Sequence, residues 1–466
     1  MTGRLLLASA LLLAACGSDE PSTPTPPPPA PSSVTAVTTT VTGTPGWLLD
    51  DSLAVRVTNA QGQPVIGAKV AWQATVEGAI VRPDTATTDA NGIAKVEYAP
   101  GWNLGAQPVT ARVGEATATV TVTATGMRLT QVARAPLRLC GLDDTGKLWC
   151  WMRAGNAARP RRLLGRDRPA APTTSARFTR VQGVQETTSW TPLCGVTTTN
   201  ELRCVDQWAL REDTTNTFPL VSFAQTNPNV ATDPPFPVKD VEIHQRFGSS
   251  VCAIDTSDAL WCWGRNSEGQ FGNGTTQGTS TWVPTAPGMR WRQLSTNYDR
   301  SVCGLTVEGQ AYCWSTATGP IIGQAFGEVF TTPQPMPYPI PPLKAIAHAS
   351  NALCGITAAD DRLLCWGEWA FIASPPPREP GPLPGLPTTA TAIGGYDEVL
   401  TAIHGGQVYR YGHPIQGANS LVRGLTGVRR LLTSYNSDWC VEHEGGAVLC
   451  AAGFDRPVAV PLPAGP

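Results

Sequence analysis

Seven short segments of the chain share one arrangement of apolar and polar positions: an apolar residue, a cysteine, a small residue, an apolar residue, a polar turn, and a second apolar run ending in another cysteine. They read LCGLDDTGKLWCW from Leu139, LCGVTTTNELRCV from Leu193, VCAIDTSDALWCW from Val251, VCGLTVEGQAYCW from Val302, LCGITAADDRLLCW from Leu353, LTAIHGGQVYRY from Leu400 and WCVEHEGGAVLCA from Trp439. The first motif positions are Cys140, Cys194, Cys252, Cys303, Cys354, Thr401 in place of a cysteine, and Cys440. A repeat of roughly fifty residues with strand-like contents predicts a β-propeller, here of seven blades.

The spacing makes each unit a β-hairpin. If Cys140 stands opposite Cys150, then Gly141 faces Trp149, Leu142 faces Leu148 and Asp143 faces Lys147, which leaves Asp144, Thr145 and Gly146 as the loop. A three-residue hairpin loop needs positive φ at its third position. Gly146, Asn200, Asp258, Gly309 and Gly446 occupy that place, and all tolerate it. Residues 358–361 make a four-residue loop and Gly405-Gly406 a two-residue turn. This register sets the paired cysteines directly across from one another, at a Cα separation of roughly 4.5 to 5.5 Å that suits a disulfide. The predicted bridges are Cys140 with Cys150, Cys194 with Cys204, Cys252 with Cys262, Cys303 with Cys313, Cys354 with Cys365 and Cys440 with Cys450. In the sixth unit Thr401 and Arg410 replace both partners together. Zinc would want four converging ligands, whereas each unit offers a single pair. The small residue after the first cysteine (Gly141, Gly195, Ala253, Gly304, Gly355 or Ala402, with Val441 the exception) faces Trp149, Trp261, Tyr312, Leu364, Tyr409 or Leu449 in most units. That pairing predicts a ring lying across the neighbouring strand and packing on the next sheet.

Upstream, residues 34–125 contain no cysteine and alternate apolar with polar positions: Leu53, Val55 and Val57, then Val70 and Trp72, then Ala94, Val96 and Tyr98, and finally ATATVTVTAT from Ala116. Turn signals separate these runs, so a β-sandwich of about ninety residues is predicted. The motifs GQPV at 62–65, GAKVAW at 67–72 and TDANGIA at 88–94 resemble the bacterial Ig-like domains of invasin and intimin type. In that family such domains serve as stalk modules or carry adhesive tips, which implies a spacer here. Within the third hairpin unit the run CWGRNSEGQFGNG at 262–274 resembles the repeat of the regulator of chromosome condensation family, with fragments at Trp366-Gly367, Tyr411-Gly412 and 323–327. The resemblance implies a seven-bladed propeller over residues 126–466. It is incomplete: Ser250, Ser301 and Ala352 stand where that repeat commonly has His, and Val205 and Ala451 replace the tryptophan of units two and seven. The fold class expected is therefore all-β, an Ig-like β-sandwich followed by a seven-bladed β-propeller with intra-blade disulfides. The Pro-rich runs at 331–342 and 374–387 are excluded from central strands, and residues 457–463 fit an edge strand of the last blade.

Residues 1–15 carry one Arg and an apolar run of about eleven residues, too short to span a bilayer, and read as a signal peptide. LAAC at 13–16 resembles the lipobox of bacterial lipoproteins, which implies cleavage before Cys16, lipidation of its thiol, and an explanation for the thirteenth cysteine. Gly17 and Ser18, not Asp, follow it, which in such lipoproteins favours the outer membrane. Residues 16–33 are rich in Pro, Ser and Thr and form a tether. Export would supply the oxidising compartment that disulfides require.

Charge and motif content narrow the chemistry. With 34 basic against 36 acidic residues the chain has no basic footprint for nucleic acid. The five histidines, at 244, 348, 404, 413 and 443, lack a metal-binding spacing, and His404, His413 and His443 are expected in solvent. Asp143-Asp144 and Asp360-Asp361 are read as turn residues, although a paired-carboxylate site could be built from the same types. No catalytic, cofactor-binding or metal-binding residue is nominated. Phe247, Tyr298, Tyr396 and Tyr435 each lie five residues before a first motif position, accompanied by Arg246, Asn297, Asp299, Asp397 and Asn436. These form a candidate ligand-binding rim; the alternative is that the aromatics fill gaps between blades. The reading is a lipid-anchored outer-membrane protein on the periplasmic or extracellular face, binding a protein or glycan through the propeller. A propeller lyase or glycoside hydrolase with convergent acids at the pore, and a propeller-type protein inhibitor, are the alternatives.

Overall fold

The structure is a computed structural model that describes residues 30–135, 138–152, 171–172, 175–183, 193–205, 217–218, 220–226, 232–244, 250–296, 301–316, 321–322, 328–349, 351–368, 379–396, 399–412, 421–434, 438–452 and 457–460. The signal peptide, Cys16 and most of the tether lie outside the described residues. So do His413 and most of the rim. Among the described residues no helix is long and apolar enough to cross a membrane.

The first domain is a sandwich of nine strands: β1 (Ser33–Ala36), β2 (Val41–Gly43), β3 (Leu53–Thr58), β4 (Lys69–Ala74), β5 (Ile80–Arg82), β6 (Thr85–Thr87), β7 (Ile93–Ala99), β8 (Gly105–Val113) and β9 (Ala116–Ala124). One sheet has the order β1-β3-β7-β5, the other β2-β9-β8-β4-β6. The alternation seen in the sequence becomes the inner faces. Leu53, Val55, Val57, Val70, Trp72, Ala94, Val96 and Tyr98 all lie in one buried core. Polar turns are closed by their own side chains: Asn59 Oδ1 accepts from the amides of Gln61 and Gln63, and Asp89 Oδ1 from those of Asn91 and Ile93.

Among the described residues seven blade sheets follow, each with an innermost strand and a hairpin, besides a short parallel pair of Ala171–Pro172 with Thr217–Phe218. The innermost strands among the described residues are Leu129–Ala135, Phe178–Gln182, Val238–His244, Trp291–Thr296, Leu343–Ala349, Ala392–Tyr396 and Val428–Ser434. The expected register holds in every hairpin. Cys140 pairs with Cys150, Gly141 with Trp149 and Leu142 with Leu148, and the equivalent pairings recur through Cys440 with Cys450. Positive φ falls on Gly146, Asn200, Asp258, Gly309 and Gly446, and on Asp361 in the four-residue loop. All six predicted disulfides are formed, with Cα separations of 4.0 to 4.1 Å. That is closer than expected, because each pair faces across the ladder at a narrow, non-hydrogen-bonded position. In the sixth blade Thr401 and Arg410 are fully buried in the same place, with Arg410 Nε donating to Thr401 Oγ1 at 3.4 Å.

The small residue after the first cysteine makes room for something other than the facing ring. A Cβ on Gly304 would come within 2.3 Å of Trp291, and one on Gly141, Gly195 or Gly355 would meet Leu129, Phe178 or Leu343. Each of these is the first residue of the innermost strand in the same blade. The glycine thus seats that strand's apolar anchor over the hairpin, and the expectation of packing on the next sheet is corrected to that extent. The tail Val458–Ala459 pairs with Val448–Ala452, so the last blade is made of consecutive strands.

The sandwich is not a free spacer. Trp47 Nε1 donates to Ala459 O at 3.1 Å, and Pro45 O accepts from Ala459 N at 2.9 Å, so the first domain covers the edge strand of the last blade. Trp102, 2% exposed, packs into a core with Ile403, Val422, Trp439 and Leu449 of the sixth and seventh blades. Glu77 accepts from Thr426 N at 3.0 Å and from Thr426 Oγ1 at 2.7 Å, and Leu104 N donates to Gly445 O. A propeller strand edge left open would be a site for unwanted pairing, and here it is capped.

Candidate functional site

The seven innermost strands surround a central cavity of about 200 Å³. Its lining follows from the register. The residues facing the first motif position are Ala133, Gln182, Glu242, Ser295, Ala347, Gly394 and Thr433, one per blade, and every one lines the cavity. The β-bulges near the start of six of these strands re-aim the residues that follow.

At that bulge several side chains tie one blade to the next. Gln131 donates to Thr179 O at 2.7 Å and accepts from Val181 N at 3.0 Å. Gln293 makes the same pair of contacts to Ile346 O and Ile346 N. Between blades two and three the tie is ionic, Arg180 Nε to Asp240 Oδ1 at 2.7 Å. Ser295 Oγ reaches His348 N and Nδ1, both at 3.1 Å. The other ring nitrogen of His348 lies 2.9 Å from Ser301 Oγ and 3.3 Å from the Cys303 sulfur. His348 is fully buried, and burial depresses its pKa to about 3, so it is neutral in the folded protein.

Glu242 is the one charged residue among the seven that face the first motif position. Its Oε1 accepts from Thr296 Oγ1 at 3.0 Å. Burial pushes its pKa up to about 7, against the opposing pull of Arg180. A glycoside hydrolase would need a second carboxylate free to act. Asp240, its neighbour, is held by Arg180.

The hairpin aspartates are turn groups. Burial alone would raise the pKa of Asp143, but hydrogen bonds from Trp149 Nε1, Thr145 and Lys147 N outweigh it and hold the carboxyl below its usual range. Asp255 repeats the arrangement with Trp261, Ser257 and Ala259. Asp144 is exposed, Asp360 accepts from Arg362, and Asp361 pairs with Lys344, so neither pair converges. The expectation of solvated histidines is corrected at two positions. His443 is 1% exposed, because Trp102 of the first domain packs edge-on against it at 5.9 Å and Glu77 lies 3.9 Å from its Nε2. His404 is half-buried, with Nδ1 3.0 Å from Thr389 Oγ1.

The run at 262–274 serves blade contact. Asn266 is fully buried, donating to Thr275 O at 2.8 Å and accepting from Phe271 N at 2.9 Å, and Gln270 O accepts from Trp314 Nε1 of the next blade. The recurring glycine at 264, 367 and 412 has positive φ, which explains why that dipeptide reappears at each strand's end.

Phe247, Tyr298, Tyr435, Arg246, Asn297, Asp299, Asp397 and Asn436 lie outside the described residues, as does the side chain of Tyr396, whose backbone pairs with Val399. Their segments all join an innermost strand to the first hairpin strand of the same blade. Glu242, Arg180 and His348 were missed by sequence reasoning because they lie upstream of the hairpin unit, at irregular spacing. Gln131 precedes Cys140 by nine residues, whereas its counterpart Arg180 precedes Cys194 by fourteen. Among the described residues no group of three or more His, Cys, Asp or Glu side chains is placed to hold a metal ion.

Solved structures similar to this chain include human WBSCR16, at 12% identity over 70% of this chain and 84% of that one, with a TM-score of 0.48. Prp20p from Saccharomyces cerevisiae is 13% identical over 60% and 71%, with a TM-score of 0.43. The CRINKLY WD40 ectodomain of the Arabidopsis thaliana receptor kinase ACR4 is 17% identical over 72% and 100%, with a TM-score of 0.41. No curated protein matches the chain. The profile of the bacterial Ig-like domain (group 1) matches residues 50–126, and the chain therefore carries a domain of that family ahead of its propeller.

Proposed function

We propose that this is an exported, lipid-anchored envelope or cell-surface protein whose propeller presents a loop face to a protein or glycan partner, with the Ig-like domain fixing the ring in place. The observation that carries the reading is the set of six buried disulfides, one per hairpin, in a ring attached to a bacterial Ig-like domain. Such bridges persist in oxidising compartments. The bridges also tie together the hairpin strands that follow the segments of that loop face. The lipid anchor is assigned to Cys16 and the partner face to the segments carrying Phe247, Tyr298, Tyr396 and Tyr435.

The test is capture from envelope extract and from a glycan library by the immobilised chain lacking its first sixteen residues. It is run beside a variant with those four aromatics changed to alanine. Capture by the parent and not by a folded variant supports the loop face; no capture, or capture that the four changes leave intact, removes it. Incorporation of labelled fatty acid that survives Cys16→Ser would refute the anchor.

A further inference from the structure

We propose that the central cavity is a binding site for a compact organic cation, an ammonium-headed molecule held by Glu242. The cavity of about 200 Å³ has room for about seven waters at their bulk share, and so for a ligand of similar size. Ala133, Ala347 and Gly394 hollow out its wall, while Gln182 and Thr433 supply polar side chains. Arg180 in the lining attracts Glu242 but is also paired with Asp240, so among the described residues this group of one cation and two carboxylates carries a net negative charge beside the cavity. Among the described residues the hydrogen-bond partner of Glu242 is the Thr296 hydroxyl. A half-buried carboxylate in such a lining is stabilised when a counter-charge joins it. A cation in the cavity provides that charge, and a neutral molecule of the same shape does not. The site stands independently of the loop-face reading, because it uses none of the rim residues.

The full chain is titrated with n-butylamine and, in parallel, with neutral n-butanol, with binding read by calorimetry and by the thermal midpoint at constant ionic strength. Butylamine is expected to bind and butanol not, with at least tenfold loss in Glu242→Gln. Because Glu242 titrates at about 7, apparent affinity should fall about thirtyfold between pH 8.5 and 5.5, in proportion to the ionised fraction. Equal binding of butanol, unchanged binding in Glu242→Gln, a flat pH profile, or no saturable butylamine signal would each overturn the proposal. Should Glu242→Gln fail to fold, the butanol comparison and the pH profile of the unaltered chain decide it.

Discussion

His348 and Glu242 show how position, not residue type, sets the chemistry of this chain. His348 is wedged between Ser295, Ser301 and the Cys303 sulfur, where a charge could not be solvated. Its folded pKa of about 3 lies below its unfolded value of 6.5. The unfolded chain therefore binds the extra proton first, and stability present above pH 6.5 is lost as pH falls through the window between the two values. The expected slope from this group is about 1.4 kcal/mol per pH unit. Denaturant melts across that range should show it, and His348→Gln should flatten it. Glu242 behaves in the opposite sense. Its folded pKa of about 7 exceeds the unfolded 4.5, so stability falls as pH rises from 4.5 to 7. The loss is on the order of 3 kcal/mol. Glu242→Gln, which cannot ionise, should be more stable than the parent above pH 7 and similar to it below pH 4.5; equal stability at both ends would contradict the assignment.

At the scale of the element, the hairpin is the repeating unit and, in six of seven blades, a disulfide crosses it. Each bridge closes a loop spanning ten or eleven residues, Cys252 to Cys262 being typical. Loop-closure entropy for that size corresponds to about 3 kcal/mol per bridge. Replacing Cys252 and Cys262 together by alanine should lower the unfolding free energy by roughly that amount in non-reducing buffer. Under strong reductant the difference between parent and variant should shrink markedly. The sixth blade shows that the position accepts a different solution, since Thr401 and Arg410 fill the same buried site without a bridge.

For the whole molecule, the contact between the sandwich and the last blade matters most. Pro45 and Trp47 cover the edge at Ala459, while Glu77, Trp102 and Leu104 clasp the hairpins around Thr426 and Gly445. The two domains should accordingly unfold together, in one calorimetric transition. Trp102→Ala removes the largest side chain of the contact and should cost about 3–5 kcal/mol of coupling. It should split the melt into two transitions; a single unchanged transition would mean that the domains are coupled by something else. A propeller expressed from residue 126 alone would expose that edge, and is expected to aggregate more readily than the full chain.

Much of this was legible along the chain. Period, turn residues and paired cysteines determined the seven hairpins, their register and the bridges, because those features depend on neighbours within about a dozen residues. Alternation and turn chemistry determined the sandwich in the same way. The axis was decided only by the tertiary structure: Arg180, Glu242 and Thr296 are brought together from three blades, with His348 of a fourth against Ser295, across intervals that the variable segments between innermost strand and hairpin leave irregular. The same holds for the seat of Leu129, Phe178, Trp291 and Leu343 over their glycines, and for burial of His443 beneath Trp102. A hairpin's geometry is written in its own spacing, whereas what a ring encloses, and which domain covers its edge, depends on the closing of the ring itself.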